Sequence, residues 1–277
     1  MPTSNLFKKS FQYLIFSLGT ILLMAGANTA SAATLDVCAS TCTYSTITAA
    51  HAAASALGGD TIEITGNITE NVTIGIDRGV TITCSPGVTV DEVDFFSISA
   101  ENVTIDGCEF TQSLTVCNPA GAAFITANNA NDNIQITDNT IDNYAQALTS
   151  TNNTNLAFTG NTVTDVCAGG PVYLDTTTGS VSNNDFTQTA SCFNGGTIGA
   201  TTSTGLTIST NTITNYKSAI TTSGIESFLI LDNIFTNGCT DDGGTTIFDI
   251  GGDGGGTISG NEITSAMETG KFLNYNN

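Results

Sequence analysis

The 277-residue chain carries 25 acidic side chains against five lysines and arginines, a formal charge of −20. Binding to nucleic acid or another polyanion runs on clustered cations, so this balance excludes both as partners. The same acidity serves the solubility of an exposed β surface.

Residues 1–32 have the layout of a secretory signal: Lys8 and Lys9, the apolar run YLIFSLGTILLMAG, then Ala30-Ser31-Ala32 as an A-x-A cleavage site. The mature chain is expected to begin at Ala33. Losing two of five cations and no acid takes its charge to −22 and leaves Arg78, Lys217 and Lys271. No second apolar stretch is long enough to span a bilayer. The expected location is secreted or cell-surface, without membrane insertion.

Residues 33–58 read as an N-terminal segment with a capping helix. Cys38 and Cys42 are close enough to clip it, as disulfides suit an exported chain. The helix is expected from an N-cap at Ser45, through apolar positions Ile47, Ala50, Ala54 and Leu57, to a stop at Gly58. It would cover the open end of the core that follows.

From residue 59 to 277 the chain repeats. Asn139, Asn161, Asn184, Asn211, Asn233 and Asn261 each have an apolar residue three positions before and another two positions after, and Cys108 takes the place of asparagine in an earlier copy. Alternation at period two predicts strands on both sides of the key residue. Turn formers precede it, and asparagine itself tolerates a left-handed backbone, so each copy bends there. A third apolar pulse follows, as in AAFIT, QALT, PVYLD, GTIG, SAIT, TIFDI and KFLN. Three strands per coil and key spacings of 22, 23, 27, 22 and 28 residues describe an all-β parallel solenoid of about eight to nine coils. Stacked about 4.8 Å apart, the asparagines can hydrogen-bond as a structural ladder. A second polar column four residues later (Gln112, Asn143, Asp165, Gln188, Asn215, Asn237, Ser265) is expected to satisfy the next bend.

Cys84 and Cys108 lie 24 residues apart, about one coil, which places them on neighbouring rungs. Cys117, Cys167, Cys192 and Cys239 all follow the second strand, in the longer connections; Tyr144 and Tyr216 stand where that connection is short. Pairing Cys167 with Cys192 leaves the other two too far apart. Cys117 with Cys167 and Cys192 with Cys239 uses all four and is preferred.

The stretch YSTITAAHAAASALGGDTIEITGNITENVTI, with its Gly59-Asp60-Thr61-Ile62 and Glu70-Asn71-Val72-Thr73-Ile74 strands ahead of the N-x-I/F-x-N coils, resembles the secreted right-handed parallel β-helix proteins of the pectate-lyase-like superfamily. The resemblance covers most of residues 44–273. It implies a right-handed coil, but the fold hosts lyases, hydrolases, epimerases, adhesins and structural proteins. In its enzymes the cleft lies on the outward face of the strand after the long loop.

Here those outward positions are read as Thr126, Thr149, Asp175, Thr221 and Asp249, with Asp241 and Asp242 on the last long loop. Glycoside cleavage by acid and base needs carboxyls about 5 to 9.5 Å apart. Asp175 and Asp249 are three coils apart, roughly 14 Å, and cannot work as a pair. Asp241 and Asp242 resemble the paired aspartates of polygalacturonases, without the accompanying aspartate, histidine and basic residues. The sole histidine, His51, lies in the capping helix, and neither Arg78 nor Lys217 has an acidic cluster assigned beside it, as lyase chemistry would require. Asp241, Asp242, Asp249 and Asp253 offer hard oxygen ligands for calcium within one coil; a solvated Gly-Asp turn is the preferred account, and no other cofactor is expected. Thr111, Thr164, Thr187, Thr214, Thr236 and Thr264 form an outward column, broken by Asp142, of the kind found on ice-binding solenoids.

The expected function is that of a non-catalytic surface, matrix or glycan-contacting module, with polysaccharide or cell-surface glycan as partner. The alternative is a polysaccharide lyase or glycoside hydrolase using Asp241, Asp242 and Asp249; ice binding is a minor third. The thin C-terminal end, GKFLNYNN, leaves end-to-end self-association open.

Overall fold

The computed structural model describes residues 31–112, 123–128, 132–166, 169–189, 193–239, 246–251, 254–264 and 271–276. Strand makes up 58% of the described residues, wound as a parallel β-solenoid of about eight turns. One ten-stranded sheet, face 1, runs from Thr34–Val37 through Asp60–Ile64, Val80–Cys84, Val103–Asp106 and their successors to Gly254–Ser259. A 17-stranded sheet holds the other two faces. Face 2 contains the strands after the asparagine bend, such as Thr162–Thr164; face 3 contains those after the following connection, such as Gln146–Thr151. The two faces merge because Thr212–Ser223 runs without a loop from one to the other, pairing first with Asp185–Thr187 and then with Phe193–Thr201.

The period-two pattern becomes three inward columns. Face 1 stacks Ile62, Ile82, Ile105, Ile136, Phe158, Val181, Ile208, Ile230 and Ile258 in direct register. Face 2 stacks Val90, Phe110, Ile141, Val163, Phe186, Ile213, Phe235 and Ile263. Face 3 stacks Ile74, Phe96, Ile125, Leu148, Val172, Ile198, Ile220 and Phe248. Nearly all are fully buried, and each contributes about 1.5–3 kcal/mol by leaving water. Where the connection between faces 2 and 3 is short, a tyrosine fills the corner. Tyr144 packs 4.1 Å from Phe124 and Tyr216 6.0 Å from Phe235, ring centre to ring centre.

The ladder asparagines sit at the bend between faces 1 and 2, with exposures of 0–2% from Asn139 to Asn233. Each makes the same bonds. Asn161 Nδ2 donates to the Ile136 carbonyl of the previous coil at 2.9 Å and to Asn184 Oδ1 of the next at 3.1 Å. Its own Oδ1 accepts from the Asn139 backbone N–H at 3.0 Å. The column runs unbroken from the Cys108 N–H to Asn261. The left-handed backbone expected at the asparagines is instead at the residue before each: φ is 55° at Asp138, 72° at Gly160, 56° at Asn183, 58° at Thr210 and 54° at Asp232. That placement turns the chain while leaving the amide aimed inward. In the second polar column Asn143, Asp165, Asn215 and Asn237 adopt positive φ themselves, so that column shapes the bend and does not form a second buried ladder. A short buried ladder occurs at the third bend instead: Asn153 Nδ2 donates to Ser150 Oγ at 2.7 Å, Ser150 shares a hydrogen bond with Thr177, and the Thr177 N–H donates to Ser203 Oγ at 3.0 Å.

The N-terminal end departs from expectation in three ways. Thr34–Val37 is already a rung, parallel to Asp60–Ile64, so the sheet begins within the segment read as a lead-in. The helix spans Ile47–Ala53 and its N-cap is Thr46, whose side chain accepts from the Ala49 N–H at 3.1 Å, not Ser45. Leu57 is 81% exposed. The chain leaves the helix at Ala54 because Asp60 captures the Ser55 N–H at 2.5 Å, together with that of Ala33 at 2.7 Å. Glu70 receives the Ile47 and Thr48 N–H groups at 2.7 and 3.1 Å, a carboxylate on a helix N-terminus. Ile47, Ala50 and Ala54 join the core, and Arg78 Nη1 donates to the Ala54 carbonyl at 2.8 Å.

Disulfides join Cys38 to Cys42 and Cys84 to Cys108. Cys239 is also disulfide-bonded. Cys117, Cys167 and Cys192, and with them the preferred pairing, lie outside the described residues.

Asn161→Ala strips acceptors from Asn139 and a donor from the Ile136 carbonyl, all buried, and should cost about 3 kcal/mol in urea unfolding. Asn261→Ala, at the part-exposed end, should cost about 1 kcal/mol or less.

Acid sensitivity should concentrate at the N-terminal end. Backbone hydrogen bonds from Ala33 and Ser55 hold the Asp60 carboxyl below its usual range. Burial first, then the charge of Arg78, lower the His51 imidazole, against an opposing pull from Asp77. Both folded-state shifts are downward, so both contributions are present at neutral pH and are lost with acid. His51 weakens the fold as pH drops below about 6.5, Asp60 below about 3.9. Amide exchange from pH 7 to 3 should open residues 34–64 first, and Asp60→Asn should flatten the lower part of that profile.

Candidate functional site

Face 3 follows the variable connections, and its outward side is the candidate surface. One outward row runs Ser97, Thr126, Thr149, Tyr173, Gly199, Thr221, Asp249. The next runs Asn128, Thr151, Asp175, Thr201, Ser223, Gly251. Asp175 therefore belongs to the Thr151 row. The apolar spacing alone sets it beside Thr149, two residues off, because PVYLD carries a second outward side chain ahead of the aspartate. Tyr173 occupies the place assigned to Asp175. The correction separates Asp175 from Asp249 by two residues along the strand as well as by three rungs.

Tyr173 is 38% exposed, and among the described residues it is the aromatic side chain left most open to water. Its register neighbour explains why the ring can lie down. A Cβ built on Gly199 would come within 3.3 Å of Tyr173 Cδ2 and 3.9 Å of Cε2, so the glycine provides a shelf on which the ring rests. Tyr173 Oη lies 3.2 Å from Thr201 Oγ1, which lies 3.0 Å from Asp175 Oδ1. Thr201 has one hydroxyl proton, and the carboxylate takes it. The phenol proton therefore goes to Thr201, giving a chain Tyr173→Thr201→Asp175. Thr176 Oγ1 adds a second donor to Asp175 Oδ1 at 3.2 Å.

The exterior has a further regularity. Thr111, Thr137, Thr154, Thr164 and Thr201 each donate through Oγ1 to an aspartate in register on the preceding rung: Asp91, Asp106, Asp132, Asp142 and Asp175. Cross-strand pairs of this kind contribute about 0.2–1 kcal/mol each. Five of the chain's 25 acids are thus built into the sheet. The outward threonine column on face 2 has the register expected, from Thr111 and Asp142 through Thr164, Thr187 and Thr214 to Thr236. Two of its hydroxyls are committed to Asp91 and Asp142, and that of Thr187 to Asp185 Oδ1 at 3.1 Å.

Asp241, Asp242 and Asp253 lie outside the described residues, and Asp249 is in strand Thr246–Gly251. Among the described residues no three His, Cys, Asp or Glu side chains gather as a metal site. His51 is 6% exposed, with Nε2 3.6 Å from Asp77 Oδ1, in the N-terminal helix and far along the chain from Tyr173 and Asp175. Arg78 holds the Ala54 carbonyl and Asp77. Among the described residues no helix is long and apolar enough to cross a membrane.

No family model matches the sequence, and no curated protein matches it.

Proposed function

We propose that this protein is a secreted, non-catalytic β-helix of the pectate-lyase-like kind, right-handed, released after loss of residues 1–32, that serves as a surface or matrix module in contact with glycan. The outer side of face 3 carries the reading. It carries mostly small hydroxyl side chains, with Tyr173 its most exposed ring among the described residues; the carboxylate of Asp175 is engaged by threonines, and Asp249 stands in register with Tyr173 three rungs away. Such a surface binds by stacking and hydrogen bonding; cleavage of a glycosidic bond needs two carboxyls at short range. Structural disulfides accord with an oxidising compartment. The threonine column supports the glycan reading over ice, because a template for ordered water needs free hydroxyls and several here are bound to aspartates.

The purified mature chain should be retained on insoluble polysaccharide without shortening it. A depolymerisation screen on neutral and acidic polysaccharides, with and without calcium, checks this. Turnover that disappears in Asp241→Ala or Asp242→Ala would replace this reading with a lyase or hydrolase.

A further inference from the structure

Resting on the glycan reading above, the geometry points to a specific saccharide subsite at Tyr173, one that takes a neutral pyranose chain and excludes uronates. A buried tyrosine needs no explanation, but an aromatic ring in water does. Most other large aromatics among the described residues, such as Phe96, Phe110, Phe158, Phe186 and Phe235, are fully buried, while Tyr44 and Phe95 are half-buried, so the fold has inward room for rings and leaves this one the most open.

Three observations give the ring a ligand-facing geometry. Gly199 on the next rung leaves room for the ring, since a built Cβ would come within 3.3 Å of Cδ2, and the residue keeps 38% of its surface in water. The hydroxyl is tied to Thr201 at 3.2 Å, which fixes the ring's rotation before any ligand arrives and lowers the ordering cost of binding. The nearby outward positions, Thr149 and Thr221 in the same row and Thr151 in the next, hold no side chain large enough to stand over the ring. The apolar C–H face of a pyranose fits such a platform, while its rim hydroxyls require acceptors and donors. Asp175 supplies the acceptor: both its bonds among the described residues use Oδ1, leaving Oδ2 to receive a sugar hydroxyl.

Charge selects the class. A uronate would bring its carboxylate next to Asp175 on a chain of net charge −20. The cation closest in register, Lys217, is four residues before Thr221 and two rungs away, roughly 15 Å by strand geometry. Nothing at the platform offsets the repulsion, so neutral chains are preferred and binding changes little with salt.

Affinity electrophoresis of the mature chain tests this in gels containing galactomannan, hydroxyethylcellulose or laminarin, against polygalacturonate and alginate, from 50 to 500 mM NaCl. At least one neutral polymer should retard the wild type, with retardation unchanged by salt. Tyr173→Ala should weaken that affinity about tenfold or more and Tyr173→Phe by no more than about threefold, since stacking survives loss of the hydroxyl. Gly199→Val, which displaces the ring while keeping it, should act like Tyr173→Ala. Circular dichroism checks that each variant is folded. Binding of neutral polymer that survives Tyr173→Ala, or stronger binding of uronates, would overturn the subsite and leave the glycan reading standing. Failure of the wild type to bind any polymer would overturn both.

Discussion

Hydrogen bonding along the stack, from each coil to the next, is the constraint on which the molecule depends. A solenoid coil of 22 to 28 residues cannot bury its own apolar side chains. It becomes stable only when its neighbours lie in register, and a slip of one residue would turn every inward column outward. The asparagine ladder removes that freedom. Because each amide accepts the backbone N–H of one coil and donates to the carbonyl of the same coil's apolar column, an error of register would orphan several buried polar groups at once. Hydrophobic columns supply the bulk of the driving force; the ladder supplies the address.

The strand content, the three apolar columns and the ladder were all legible, since they rest on a repeated spacing that one sequence contains many times over. What failed to read through was local. The helix cap and its early end turn on Asp60 and Glu70, acids that belong to strands distant in sequence and reach back to Ser55, Ile47 and Thr48. The left-handed residue at each bend was placed one position late because Asp, Gly, Asn and Thr all occupy it, so no single residue type marks it. Tyr173 was missed because a two-residue slip at one coil hides an outward aromatic among alternating apolar letters. Its signal was present: PVYLD is the face 3 segment with a large residue between two inward ones, followed a coil later by glycine.

The threonine–aspartate pairs change the meaning of the composition. Acidity in a β-rich chain is ordinarily assigned to solubility, and here it also supplies hydrogen-bond acceptors that run along the outside of the stack as the amides run along the inside. Carboxylates used this way are poor candidates for acid or base chemistry, and their threonine partners are poor candidates for organising solvent. Function is thereby pushed toward the few outward atoms that the lattice of pairs does not consume, such as the Tyr173 ring and Asp175 Oδ2.

Cys108 sits where the first asparagine of the column would be, and it completes the ladder in a different currency of bonding. Its N–H still donates to Asn139 Oδ1, while its side chain reaches back to Cys84 as a covalent cross-link. The seam that locks one coil to the next is therefore amide toward the C-terminus and sulfur toward the N-terminus. Under reducing conditions the amide portion remains and the sulfur portion opens, so the first coils are held to the rest there by sheet hydrogen bonds and apolar packing alone.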